Sequence, residues 1–120
     1  VLFFTFEVCE MSVMVTIKTN MTNAAIAEKA FRRRFQNVNV SGNKLTCGVK
    51  STRRSYPINI TFDLSTCSVN ADSDYRAELE TVLNEAYAAE EIIDAAEQEG
   101  RNWEESRNEQ GELVLEVEYA

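Results

Sequence analysis

Apolar and polar residues alternate with a period of two in four stretches of the chain, which predicts strands that bury one face. The stretches are residues 12–18, 45–49, 58–64 and 113–119. The two central stretches can form an antiparallel hairpin in which every apolar side chain lies on the same side. The pairs in this register are Val49 with Ile58, Cys47 with Ile60, and Leu45 with Phe62. We also expect a short strand around Trp103 to pair with the last stretch.

Two other segments have apolar residues spaced by three or four, the period of an amphipathic helix. The first helix is predicted over residues 22–36, where Ala27, Ala30 and Phe31 share one stripe. The second is predicted from residue 72 or 73 to Gly100, because glycine commonly follows the last helical residue. Each helix therefore has one apolar face that a half-buried sheet can cover.

The predicted order is strand, helix, strand, strand, helix, strand, which is the order of a ferredoxin-like fold. We therefore expect an α+β protein in which one antiparallel sheet carries two helices on one face, with room for extra strands at either end. Residues 11–120 are predicted to form this single domain, and residues 1–10 an apolar extension. Leu2, Phe4 and Phe6 share one face of the extension, which could add an edge strand or pair with another copy.

The chain contains no histidine among its 120 residues, and this excludes several kinds of site. Ser-His-Asp and Cys-His catalysis, imidazole metal ligands and histidine-based pH switches all need that side chain. The apolar content of 44% and the charged content of 27% are typical of a folded domain rather than a disordered chain. The four glycines are too scattered to form a phosphate-binding loop. We expect neither a metal nor another cofactor.

Charge is distributed unevenly along this acidic chain, whose formal net charge is −8. Nine basic and four acidic residues give residues 1–71 a net +5, and three basic and sixteen acidic residues give residues 72–120 a net −13. The acidic total argues against nucleic acid as a partner. The division still allows a local anion site, or head-to-tail attraction between copies.

The basic residues of the first half are the candidate binding residues. They are Lys29, Arg32, Arg33 and Arg34 in the first helix, and Arg53 and Arg54 in the link between the central strands. Cations near the end of a helix also suit its dipole without any ligand, so solvated charges are the alternative interpretation. A protein or a small anion is the expected partner, because stacking aromatics do not interleave with these arginines as they do in single-strand binders.

Carboxylates and thiols offer two further candidate sites, each with a simpler interpretation. Glu90, Glu91 and Asp94 could hold Mg²⁺ or Ca²⁺, but a solvated helix face is the favoured interpretation, since no calcium-loop motif is present. The chain has three cysteines, Cys9, Cys47 and Cys67. An odd number without a Cys-x-x-Cys motif does not indicate a set of disulfides. We expect free thiols and hence a reducing, cytoplasmic location. No membrane span is expected, because no run of about 18 apolar residues occurs.

Two short stretches resemble a known family. One is MSVMVTIKT at residues 11–19, with Val13 at a position where the family has histidine. The other comprises Tyr87, Ala88, Ile92, Ile93, Asp94, Ala96, Gly100, Gln110, Gly111 and Glu112. These stretches are similar to the hypothetical chloroplast reading frame thirty-five family of plastids, cyanobacteria and other bacteria. The resemblance covers both ends of the chain, lacks the family's tryptophan-bearing central strands, and implies one small α+β domain with no transferable activity.

Two functions are compatible with these features. The first is a homo-oligomeric accessory or interaction protein without catalytic chemistry, whose partner is itself or another protein. The second is a small-ligand or anion-binding domain, or an enzyme, that uses arginines and carboxylates in a cleft between sheet and helices.

Overall fold

The computed structural model describes residues 14–118 of the chain. The predicted strand in residues 1–10 and the start of the 12–18 strand lie outside these residues. The described part contains seven strands, two α-helices and one short 3₁₀ turn. They are β1 (Met14–Ile17), α1 (Ala24–Arg34), β2 (Gln36–Ser41), β3 (Lys44–Val49), β4 (Ile58–Asp63), β5 (Ser68–Asp72), the turn Ser73–Tyr75, α2 (Arg76–Gln98), β6 (Trp103–Arg107) and β7 (Leu113–Val117). The prediction of an α+β protein is confirmed.

The central hairpin has the register that its apolar pattern predicts. Leu45 lies opposite Phe62, Cys47 opposite Ile60, and Val49 opposite Ile58. Thr46, which lies between Leu45 and Cys47, is on the exposed face of the sheet. Register is fixed here because a shift of one residue would turn every apolar side chain toward solvent.

The sheet order does not confirm the ferredoxin-like topology. Five antiparallel strands are arranged in the order β1-β5-β4-β3-β2, and β1 pairs with β5. In a ferredoxin-like sheet the first strand lies between the third and the last strand, but here β5 lies between β1 and β4. That last strand, β7, instead pairs with β6 in a separate two-stranded sheet.

The difference arises from two strands that periodicity does not reveal. In β2 the apolar residues Val38 and Val40 are only half-buried or exposed, and Asn37 has a positive φ of 56° at an irregularity in the pairing. In β5 the buried residues are only Val69 and Ala71. Short or exposed strands have little apolar signal, although they pair through the same backbone hydrogen bonds.

The helices begin and end at residues with suitable caps. The Asn23 side chain accepts hydrogen bonds from the backbone N–H groups of Ala25 and Ile26 and so caps α1. Gly100 follows α2 with a φ of +69°, a conformation that glycine adopts without a steric cost. Both helices are somewhat shorter than their periodicity predicts, as is usual at helix ends.

One apolar core lies between the helices and one face of the five-stranded sheet. Phe31 of α1 packs edge-on against Phe62 of β4, with ring centroids 5.1 Å apart. Leu79 and Leu83 of α2 are fully buried in the same cluster. Tyr87 of α2 also lies in the core, and its hydroxyl accepts hydrogen bonds from the backbone N–H groups that precede α1. The two helices are thereby fixed on the same face of the sheet, as expected.

The β6–β7 hairpin is placed beside this core. A two-stranded hairpin is marginally stable by itself in water, so its contacts with the helices decide its position. No helix in residues 14–118 is long and apolar enough to span a bilayer.

Candidate anion-binding cleft

The six predicted binding residues fall into separate groups. Arg53 and Arg54 lie in the β3–β4 loop beside the start of α2, where both guanidinium groups contact the ring of Tyr75. Arg53 also donates a hydrogen bond to the backbone oxygen of Asp74. Arg54 donates to the backbone oxygens of Tyr56 and Pro57. These two arginines are therefore used to order their own loop.

Lys29 and Arg32 lie on the outer surface of α1. Lys29 pairs with Asp94 of α2 at 2.5 Å, and Arg32 pairs with Glu28 one turn earlier at 3.0 Å. Both cationic side chains are more than half exposed, and exposed pairs of this kind contribute little to stability.

Arg33 spans the space between α1, α2 and the hairpin. Its Nε donates to Oε1 of Glu90 at 2.8 Å, and the Glu90 carboxylate is completely buried. The guanidinium also lies 5.1 Å from the ring centroid of Trp103 in β6. The hydrogen bond to Glu90 raises the pKa of Arg33 above its already high ordinary value. The expectation that Glu90 lies on a solvated helix face is therefore wrong.

Arg34 connects α1 to the hairpin through a bidentate pair. Its two Nη atoms donate to the two carboxylate oxygens of Glu105 at 3.1 and 2.7 Å. These hydrogen bonds hold the pKa of Glu105 below its ordinary value, with added contributions from the charges of Arg107 and Arg33. The Nε–H of Arg34 is buried and has no hydrogen-bond acceptor among the described residues.

A cleft of about 550 Å³ opens where these elements meet. Its floor and walls come from the end of α1, the end of β3, the middle of α2 and the inner face of β6. The lining residues are Arg33, Arg34, Phe35, Val49, Lys50, Val82, Glu85, Ala86, Trp103, Glu105 and Arg107. The cleft therefore combines an apolar surface with a cluster of charged groups.

Cations outnumber carboxylates in this lining, although the whole chain is acidic. Four basic side chains face two carboxylates there, while the chain as a whole carries −8. Arg107 pairs with Glu85 at 3.1 Å, and Arg34 pairs with Glu105. Lys50, in contrast, makes no hydrogen bond or ion pair within residues 14–118. When the buried Glu90 that pairs with Arg33 is included, one cation remains in excess, and this local excess in a negative protein favours small anions.

The uneven charge along the chain is partly neutralised inside one molecule. Four ion pairs join a basic residue of the first half to an acidic residue of the second. These pairs are Lys29–Asp94, Arg33–Glu90, Arg34–Glu105 and Arg53–Glu78. The basic and acidic halves, whose charges could attract two copies to each other, therefore attract each other partly within one molecule.

Of the six predicted residues, only Arg33 and Arg34 line the cleft. Lys50, Trp103 and Arg107 line it as well and were not among the predicted binding residues. Their positions depend on how the hairpin packs against the helices, which no local pattern specifies. A signal for Trp103 existed, since a large aromatic beside charged residues in a short strand commonly packs against a neighbouring element.

The other candidate sites, the thiols and the carboxylates of α2, show little reactive or metal-binding chemistry. Cys47 is buried in β3, and burial raises the pKa of its thiol to about 12. The thiol is therefore protonated at neutral pH and a poor nucleophile. Cys67 is a free cysteine as well. No group of three or more potential metal ligands occurs in residues 14–118, and Asp94 pairs with Lys29.

Comparison with known proteins gives no relative: no family model, curated protein or solved structure matches the chain.

Proposed function

We propose that the protein is a binding domain whose cleft takes a small organic anion. The observation that carries this proposal is that four cations line the cleft of this acidic chain, and one of them remains after Arg33, Arg34 and Arg107 pair with carboxylates. Lys50 supports it, because its ammonium group makes no ion pair with any described residue and is available to a ligand. The buried Arg34 Nε–H supports it too, since a buried donor without an acceptor costs about 1 to 3 kcal/mol.

The ligand has an apolar part beside its anionic group. Phe35, Val49, Val82 and Trp103 give the cleft apolar walls, and pockets of this kind bury a ligand's apolar body while a few charges orient it. The expected ligands are therefore aromatic or aliphatic phosphates and carboxylates rather than inorganic ions.

Binding without catalysis is the simpler interpretation of these groups. The chain has no histidine, and the Cys47 thiol is buried and protonated. The carboxylates of Glu85 and Glu105 already accept hydrogen bonds from Arg107 and Arg34. The arginines thus orient a ligand and compensate its charge, and no step of bond cleavage is assigned to them.

Calorimetric titration with phenyl phosphate tests the proposal. Saturable binding is expected, with weaker binding of inorganic phosphate and none of phenol, because the site needs both the charge and the ring. Lys50→Ala should weaken the binding of phenyl phosphate about fivefold, equivalent to about 1 kcal/mol for one charge contact. Absence of saturable binding in the unmodified protein would contradict the proposal.

Lys18→Ala is the matched control. Lys18 is an exposed lysine after β1 that, like Lys50, makes no ion pair within the described residues, but it does not line the cleft. The control variant should bind phenyl phosphate as the unmodified protein does. Equal weakening by both variants would show that only net charge matters.

The remaining expectations stand as proposals beside this one. An accessory role in a homo-oligomer is tested by the mass of the protein in solution, with and without residues 1–10. A cytoplasmic, reducing location is supported by Cys47 and Cys67, which form no disulfide. Relationship to the hypothetical chloroplast reading frame thirty-five family rests on the stretches at 11–19 and 87–112, and a structure of a member with the same strand order would support it.

A further inference from the structure

The outer edge of β7 has backbone groups without partners. Glu118 N–H donates to the oxygen of Asn102, and Asn108 N–H donates to the oxygen of Glu112, so the even-numbered residues of β7 bond to β6. Hydrogen-bonded and non-hydrogen-bonded residue pairs alternate along an antiparallel ladder. The backbone N–H and C=O groups of Leu113, Leu115 and Val117 therefore point away from β6. No strand pairs with that edge within residues 14–118, because this sheet has only two strands.

An apolar groove runs between the same strand and α2. Ala88, Ile92 and Ala95 lie on α2 at a spacing of four and three, and Ile92 is 48% exposed. Two adjoining cavities of about 240 and 390 Å³ separate these residues from the half-buried side chains of β7. The β7 side chains that line the cavities are Leu113, Leu115 and Val117.

All charged side chains that line this groove are carboxylates. They are Glu85 and Glu91 on α2 and Glu99 just after it; Glu85 pairs with Arg107 and Glu99 with Arg101. On the outer face of the hairpin, Glu116 of β7 lies directly opposite Glu104 of β6. Like charges in that position destabilise a hairpin, and neither of these two carboxylates has an ion pair within the described residues.

We propose that an extended segment of a partner protein, with alternating apolar and basic residues, adds to β7 as a third strand. Its backbone would bond to Leu113, Leu115 and Val117, as in other cases of strand addition to an exposed sheet edge. Its apolar side chains would fill the groove over Ile92. Because successive side chains alternate between faces, its basic side chains would lie on the outer face beside Glu116.

A second copy of this chain fits the same edge less well. Pairing β7 with itself would bring the carboxylates of two chains together, and Glu116 would gain another acidic neighbour. The chain's own cations at Arg33, Arg34 and Arg107 are already paired within one molecule. The unpaired carboxylates of Glu104 and Glu116 on the outer face therefore favour a basic partner strand over a second acidic one.

Titration of the full chain with a short peptide of alternating valine and lysine tests this inference. We expect saturable binding to the unmodified protein, measured by calorimetry. Two control peptides should bind more weakly: one with glutamate in place of lysine, and one of the same composition with its lysines grouped together. The first control tests charge, and the second tests alternation.

Glu116→Lys should weaken binding of the alternating peptide about fivefold, because an attractive cross-strand pair of up to about 1 kcal/mol is lost. The same change should stabilise the hairpin toward hydrogen exchange, since it converts the Glu104–Glu116 repulsion into attraction, so weaker binding cannot be attributed to unfolding. Glu109→Lys is the matched control, as Glu109 is exposed in the β6–β7 turn and does not line the groove.

Three results would overturn the proposal. The first is failure of the alternating peptide to bind, or equal binding by the grouped or glutamate peptide. The second is equal weakening by Glu116→Lys and Glu109→Lys. The third is evidence that the chain itself occupies the groove. This evidence would be self-association of the free chain that is altered by Glu116→Lys, or peptide binding that occurs only after residues 1–13 are deleted.

Discussion

The buried carboxylate of Glu90 is held by Arg33, whose Nε lies 2.8 Å from Glu90 Oε1. Glu90 belongs to α2 and Arg33 to α1, so the pair fixes one helix against the other. A carboxylate without exposure to water requires such a partner, because the cost of removing its hydration is otherwise several kcal/mol. The position of the cleft therefore depends on this pair.

Arg33→Met should lower the free energy of unfolding by about 2 to 3 kcal/mol, because it leaves a buried carboxylate uncompensated. The effect is below that of a fully buried pair, since the Arg33 side chain is about a third exposed. Adding Glu90→Leu to this variant should recover most of the loss. Urea unfolding measures both, and an additive or larger loss in the double variant would contradict the assignment.

Arg34→Met should release the β6–β7 hairpin without unfolding the main sheet. Loss of the bidentate pair with Glu105 is expected to speed hydrogen exchange of the β6–β7 amides about 10- to 100-fold, equivalent to about 1.4 to 2.8 kcal/mol. Exchange in β4 should be unchanged. Arg32→Met is the control, because its exposed pair with Glu28 should contribute about 0.3 to 0.5 kcal/mol. Equal effects of both variants on β6 would refute this role of Arg34.

Stability should decline in acid because several carboxyl groups have lowered pKa values. Hydrogen bonds from Ser65 and Lys44 lower the pKa of Asp63, the Thr52 backbone lowers that of Glu78, and Arg34 lowers that of Glu105. The unfolded chain then binds more protons than the folded one below about pH 4, the ordinary range of these groups. Their contribution is fully present above that range and is lost as the pH falls through the folded pKa values.

Unfolding in urea at a series of pH values measures this dependence. Glu105→Gln should flatten the acid limb of the profile, because it removes one of the groups whose pKa is lowered in the folded state. Glu109→Gln, at an exposed turn position for which no hydrogen bond or ion pair occurs within residues 14–118, should leave the slope unchanged. An acid limb equally steep in Glu105→Gln and in the unmodified protein would contradict the prediction.

Cys47 should resist thiol reagents while the protein is folded. Its side chain is 3% exposed, so reagents cannot reach it, and burial raises its pKa to about 12, so the reactive thiolate is not formed at neutral pH. Alkylation followed by mass spectrometry of the peptides should find Cys67 modified before Cys47. Modification of native Cys47 as fast as that of a free cysteine would show that β3 opens readily.

Sequence periodicity predicts those parts of the fold in which one element buries one regular face. The β3–β4 register follows because Leu45, Cys47 and Val49 have only one apolar side to offer, and α2 follows from its long stripe. Periodicity does not reveal β2, whose valines are largely exposed, or the pairing of β1 with β5. Without these strands, the expected topology places the last strand in the main sheet, where it does not lie.

The candidate site was less accessible from the sequence than the fold. A run of cations, Arg32 to Arg34, is visible in one dimension, but the carboxylates that bind Arg33 and Arg34 lie 57 and 71 residues later. Which arginine pairs with a residue of α2 or of the hairpin depends on the angle between α1 and α2. Lys50 could not be distinguished from other exposed lysines, because its role depends on the cleft beside it.

The most direct test of the cleft is a titration of the isotope-labelled protein with phenyl phosphate, followed by amide and indole resonances. An anion-binding cleft predicts saturable shifts of the Trp103 indole and of the Lys50 and Glu105 amides, all with one dissociation constant, which should increase in Lys50→Ala. Shifts that do not saturate, or that centre on Arg53 and Arg54 at the start of α2 instead, would contradict it.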